Sequence, residues 1–126
     1  MESPPPGSRH HAAFTFRDLT VWKQSRGFAS DIYRLVSTPR LRSHHAFCDQ
    51  LGRAALSVPS NIAEGDERGT NKESLRFLFI ARGSLSELET QLWIGHDLGW
   101  IDTEDYLKLS ERMGNVADRK STRLNS

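Results

Sequence analysis

In the stretch Gln50-Leu-Gly-Arg-Ala-Ala-Leu-Ser-Val-Pro-Ser-Asn-Ile-Ala-Glu-Gly65, Leu51, Ala54, Val58 and Ile62 recur at steps of three and four. Phe47 begins the same row and Ala55 widens it. Such spacing puts apolar side chains on one face of an α-helix, whereas a half-buried strand needs alternation. Pro59 lies inside the segment, removes one backbone hydrogen bond and is expected to bend the helix near Ala55. Gly65 reads as the helix stop.

Outward from this helix the same period repeats on both sides. Between Asp18 and Ser37 the row Trp22, Ser25, Ala29, Ile32 and Val36, flanked by Val21, Phe28 and Leu35, makes a broad core-facing stripe. Thr38-Pro39 ends it, because the residue before proline is pushed out of the helical region. On the other side, Thr70-Asn-Lys-Glu73 has the form of a capping box. A long helix follows through Leu78, Ala81, Leu85, Leu88 and Leu92 to about Leu98, where Gly99 stops it and Trp100 can fold back on Ile94. Asp102 then caps a fourth helix whose stripe is Tyr106, Leu109, Met113 and Val116, with Ile101 able to staple onto Tyr106. No segment alternates long enough to be a strand. The sequence therefore predicts an all-α, antiparallel up-down-up-down four-helix bundle over residues 14–117.

The two ends differ from this body. Residues 1–13, rich in Pro, Gly and Ser, read as a flexible N-terminal arm without the basic-then-apolar order of a signal peptide. Beyond Ala117 the apolar seam is lost. Asp118-Arg-Lys-Ser-Thr-Arg-Leu-Asn-Ser126 resembles a translated sequencing-library adapter, so residues 118–126 are expected to be a non-native or disordered tail and the fourth helix to be truncated.

Composition narrows the function. The 126 residues are 37% hydrophobic and 26% charged, and 17 Lys plus Arg against 16 Asp plus Glu leave a net charge of +1. Within residues 14–117 the count is 13 basic to 14 acidic. A uniformly cationic nucleic-acid binder is excluded, since phosphate neutralisation supplies most non-specific affinity. The longest charge-free run, Ala54 to Ala63, is about half the ~20 apolar residues of a membrane span. One cysteine, Cys48, excludes an internal disulfide, and a cytoplasmic location is the simplest expectation.

Three segments carry a resemblance: Phe16-Arg-Asp-Leu-Thr-Val-Trp22, the Gln50 to Gly65 stretch, and Phe77-Leu-Phe-Ile-Ala-Arg-Gly-Ser-Leu-Ser-Glu-Leu-Glu89. Together they resemble the bacterial four-helix-bundle family of proteins encoded in intervening sequences of 23S ribosomal RNA genes, over about Phe14 to Ala117. The accessory variability protein of diversity-generating retroelements is similar to that family. The resemblance implies a bundle that assembles as a ring-like homopentamer. For the retroelement relative it implies binding to nucleic acid and to a reverse transcriptase. It implies no activity, and the near-neutral charge of this chain weakens the nucleic-acid analogy.

Several residues invite a role. Asn61, Glu64 and Gly65 read structurally as a bond to a neighbouring helix, a bond to a loop amide or arginine, and a helix stop; the alternative is a ligand or partner contact. Gly83-Ser84 costs about 1 kcal/mol of helix propensity relative to alanine, so a close approach by another helix is expected there. Glu87 is placed to meet Arg53 or Asn61 across the core, as a paired charge rather than a catalytic group. No nucleophile with a positioned base is legible, so no enzyme and no cofactor is expected. His44 and Cys48 form an i, i+4 pair, but His44, His45 and Cys48 do not complete a metal site. Lys23, Arg26, Arg34, Arg40 and Arg42 are either a solvated face of the first helix and its far end, or a phosphate-facing stripe. Trp93 and Trp100, off the main seam, suggest a subunit interface. The resulting expectation is a non-enzymatic homo-oligomeric scaffold or protein-interaction module. Its alternative is an RNA- or DNA-binding accessory protein.

Overall fold

A computed structural model describes the backbone of residues 16–125 and the side chains of residues 16–117. The expected arm and the side chains of the expected tail lie outside the described residues. A 3-10 turn, Phe16–Asp18, leads into α1 (Thr20–Val36), followed by α2 (His45–Glu67), α3 (Asn71–Asp97) and α4 (Thr103–Asn125). The described residues contain four α-helices and no strand, an all-α four-helix bundle as the periodicity requires. The α4 backbone stays helical through the segment expected as a tail.

The expected stripes form the core. Phe28 and Ile32 of α1, Leu51, Ala55 and Val58 of α2, and Leu88 and Leu92 of α3 are fully buried, and Leu109, Met113 and Val116 close it from α4. Pro59 is buried within a continuous α2. Among the described residues, contact is most extensive between α2 and α3.

Local chemistry sets the ends. Thr70 Oγ1 accepts from the Glu73 amide at 3.2 Å, which starts α3. Asp102 Oδ1 accepts from the Asp105 amide at 2.8 Å and starts α4. Gly99, at φ +78°, turns the chain between them, and the Trp100 amide returns to the Gly95 carbonyl at 2.9 Å. Thr70→Ala should therefore lower stability by about 1 kcal/mol, read as a lower urea midpoint at unchanged slope.

Gly65 is not the stop of α2. The helix runs on to Glu67, where the Arg68 amide meets the Gly65 carbonyl, and Gly65 does not have positive φ. Gly65 is small because α3 crosses it: an added Cβ would lie 3.1 Å from the Ser74 carbonyl oxygen and from Phe77 Cβ. Trp100 does not fold onto Ile94. Its ring stacks on His44 at 3.7 Å and meets the edge of Phe47 at 5.2 Å, because the turn at Gly99 directs it toward the start of α2.

Candidate functional site

The family-like residues of α2 and α3 separate into a buried set and an exposed set. Ser84 Oγ donates to Ser57 Oγ at 2.8 Å across the α2–α3 seam. Asn61 Nδ2 donates to the Ser57 carbonyl at 2.7 Å and to Ser57 Oγ at 2.9 Å. Asn61 thus bonds within its own helix rather than across the bundle, and reaches α3 through the shared serine. Short hydroxyl side chains let two helices close to hydrogen-bond distance while satisfying polar groups that burial would otherwise leave unpaired. Glu64 pairs with Arg68 one turn on, an exposed contact that holds the end of α2.

The exposed set corrects two expectations. The helix approach expected at Gly83-Ser84 is made at Ser84 and not at Gly83: within the chain nothing lies within 4 Å of the Cβ that Gly83 lacks. Glu87 faces solvent and reaches only Gln91 Nε2, at 3.4 Å, rather than Arg53 or Asn61. Arg53 is also exposed. On the α-helical period Ile80, Gly83, Glu87, Ile94 and Leu98 share one face of α3, turned away from the buried row Ala81, Ser84, Leu88 and Leu92. Ile80, Ile94 and Leu98 are among the exposed large apolar residues. Close approaches in this bundle occur instead at Gly52, under the Tyr33 ring, at Gly65, and at Gly95, under Ile101 and Phe47.

Lys23, Arg26 and Arg34 share one face of α1 on the helical period and all five basic residues of the expected stripe are exposed, but three of them are engaged within the chain. Arg26 lies over the Trp22 ring at 5.3 Å. Arg34 pairs with Asp31 at 2.9 Å, and Asp31 also holds Arg112 of α4. Arg40 donates to the Gly99 carbonyl at 3.2 Å, tying the α1–α2 loop to the α3–α4 turn. Lys23 and Arg42 are exposed, one in the first turn of α1 and the other beyond its last, about 20 Å of helix apart.

Cys48 is half-buried, and its thiol donates to the Leu41 carbonyl at 3.2 Å. Burial, with a smaller contribution from Asp49, pushes the thiol pKa above its ordinary value and favours the unreactive protonated form. His44 is engaged with Trp100. Among the described residues no group of three or more His, Cys, Asp or Glu side chains converges as a metal site. No helix among them is long and apolar enough to cross a membrane.

Trp93 is 56% exposed, whereas Trp100 is half-buried in the stack with His44 and Phe47. Periodicity did not reveal an apolar trough lined by residues of all four helices, with Leu75 and Phe79 at its edge, beside a more polar depression between α3 and α4 that Arg82 and Leu85 also line. The trough's signal in the sequence was the pair Leu75 and Phe79, apolar positions beside the α3 core row.

The sequence profile of the 23S rRNA-intervening sequence proteins matches residues 17–120. The chain belongs to this family. Its fold is similar to a crystal structure of a protein from Bacteroides thetaiotaomicron VPI-5482, described as of unknown function and from the S23 ribosomal protein family. That similarity has a TM-score of 0.71 at 21% sequence identity and covers 77% of this chain and 91% of the other. At this identity it establishes the bundle and nothing of its chemistry. No match was found among curated proteins. The matched region spans α1 to α3 and most of α4, so the buried serine pair and the exposed α3 face both lie within the family region of this intervening-sequence protein.

Proposed function

We propose that this intervening-sequence family protein is a non-enzymatic, homo-oligomeric scaffold of the cytoplasm, assembled through the outer face of α3. The observation that carries the reading is Gly83. Glycine in a helix interior costs about 1 kcal/mol relative to alanine, and here no neighbour within the chain offsets it. A helix of a second subunit, packed along Ile80, Glu87, Ile94 and Leu98, would supply the missing contact and cover apolar side chains that otherwise face water. The family resemblance makes a ring-like pentamer the expected assembly. The engagement of Arg26, Arg34 and Arg40 within the chain supports this reading over nucleic-acid binding, which would rest chiefly on Lys23 and Arg42.

Light scattering at micromolar concentration should give a multiple of the 14.3 kDa chain mass. Gly83→Arg and Ile94→Asp should each reduce it to the monomer while the helical circular dichroism is kept. A monomeric parent chain, or a multimer indifferent to both substitutions, overturns the proposal. Salt-sensitive binding of structured RNA that is lost in Lys23→Ala/Arg42→Ala would instead support the nucleic-acid alternative.

A further inference from the structure

The residues on the outer face of α3 match one other surface of the same molecule. Arg76, Ile80, Gly83 and Glu87 follow one another at steps of four, three and four, so they share one side of α3, and all four are exposed. On α2, Arg53, Leu56, Ser60 and Glu64 follow at steps of three, four and four, and they are exposed too. Each row is about 16 Å long at the helical rise. Laid antiparallel, the rows complement each other. Arg53 then faces Glu87, and Leu56, 50% exposed, faces the hollow left by Gly83. Beyond them Ser60 faces Ile80, and Glu64 faces Arg76. Large side chains meet small ones and each charge meets its opposite.

The heights agree as well. Within one chain Ser84 of α3 touches Ser57 of α2, which marks a common level on two antiparallel helices. Arg53 and Glu87 lie four and three residues to one side of that contact, and Ser60 and Ile80 lie three and four residues to the other. At about 1.5 Å per residue, the members of every pair stand within about 3 Å of one height. A rotation about an axis parallel to the helices, with no shift along it, therefore brings α3 of one copy onto α2 of the next. A contact between two different surfaces that repeats by rotation alone closes as a ring.

The charges are only loosely held within the chain. Among the described residues Arg53 makes no ion pair, and Glu87 reaches only Gln91, at 3.4 Å. Glu64 and Arg76 hold Arg68 and Glu73 on their own helices, exposed pairs that contribute little and exchange readily. Either helix laid antiparallel on its own copy would also set an arginine against a glutamate. Such a pairing would leave the other row bare, with Leu56 uncovered in one case and Gly83 in the other.

We propose that copies of this chain associate head to tail, the α3 row from Arg76 to Glu87 seated on the α2 row from Arg53 to Glu64 of the next copy, with Leu56 filling the hollow at Gly83. This rests on the homo-oligomer reading and names the surface that answers α3. Arg53 and Glu87, expected to meet across the core of one chain, meet between chains.

Charge reversal followed by light scattering on the full chain tests it. The substituted side chains face water, so the helical circular dichroism should be unchanged. Arg53→Glu and Glu87→Arg should each raise the concentration at which the multimer half dissociates by at least about 10-fold, and the chain carrying both should return to within about 3-fold of the parent. Leu56→Asp should weaken assembly as Gly83→Arg does. A multimer indifferent to Arg53→Glu and Leu56→Asp overturns this inference and leaves assembly through α3 standing. So does a double variant no tighter than the single ones. Weakening by Arg53→Glu but not by Glu87→Arg would pair α2 with itself and overturn the α3 interface as well. Mass that keeps growing with concentration, instead of one discrete multimer, overturns the ring, and a monomeric parent chain overturns the homo-oligomer itself.

Discussion

Replacing Phe28 by alanine should cost about 3–5 kcal/mol of folding stability, the largest effect expected of a single substitution here. Phe28 is fully buried on α1 and belongs to the same core cluster as Leu51, Leu88 and Leu92. Truncation removes most of a ring's apolar burial and leaves a cavity that three other helices must collapse to fill. A domain of this size commonly has only about 5–15 kcal/mol in total, so the variant should sit close to unfolding at room temperature. Urea denaturation followed by circular dichroism checks it. A midpoint within experimental error of the parent would show that α1 does not pack as described.

Gly95→Val should be the second largest, at about 2–3 kcal/mol, and for the opposite reason. A Cβ at Gly95 would lie 2.7 Å from Ile101 Cδ1 and 2.9 Å from Phe47 Cζ. Both neighbours are held: Ile101 is buried, and Phe47 is packed on the edge of Trp100. The added side chain has to push the end of α3 away from the start of α2, at the turn where Gly99 already fixes the chain direction. The expected result is a lower thermal midpoint together with a change in tryptophan fluorescence as the Trp100 stack opens. An unchanged midpoint and spectrum would mean that this corner is loosely packed.

The contrast between these positions explains what could be read in advance. The four helices were legible because each carries its own apolar row, and burial of that row needs no knowledge of its neighbours. The starts of α3 and α4 were legible because a cap is a contact between residues three apart. Gly65 and Gly83 were misread because a glycine in a helical pattern looks the same whether it ends the helix, admits a neighbour within the chain, or faces a different molecule. Gly65 turned out to admit α3, and Gly83 to face outward. Glu87 was placed across the core by analogy with buried charge pairs, yet its position on the α3 period lies outside the buried row. The trough escaped notice because helical period fixes which way a side chain points and not how closely two helices approach.

The tie between Asp31 and Arg112 bears on the order in which the bundle assembles. The Ser84 to Ser57 contact joins residues 27 apart, the Arg40 to Gly99 contact joins residues 59 apart, and the α1–α4 ion pair spans more chain than either. Loop-closure entropy rises with each step, by about 0.6 kcal/mol for every doubling of length. The α2–α3 hairpin should therefore form early in the transition state, with α1 and α4 docking afterwards. Substitutions at the serine pair should slow folding, whereas loss of the Asp31 pair should mainly hasten unfolding. The chain then assembles from the middle of its sequence outward, and loosens first where its two outermost helices meet.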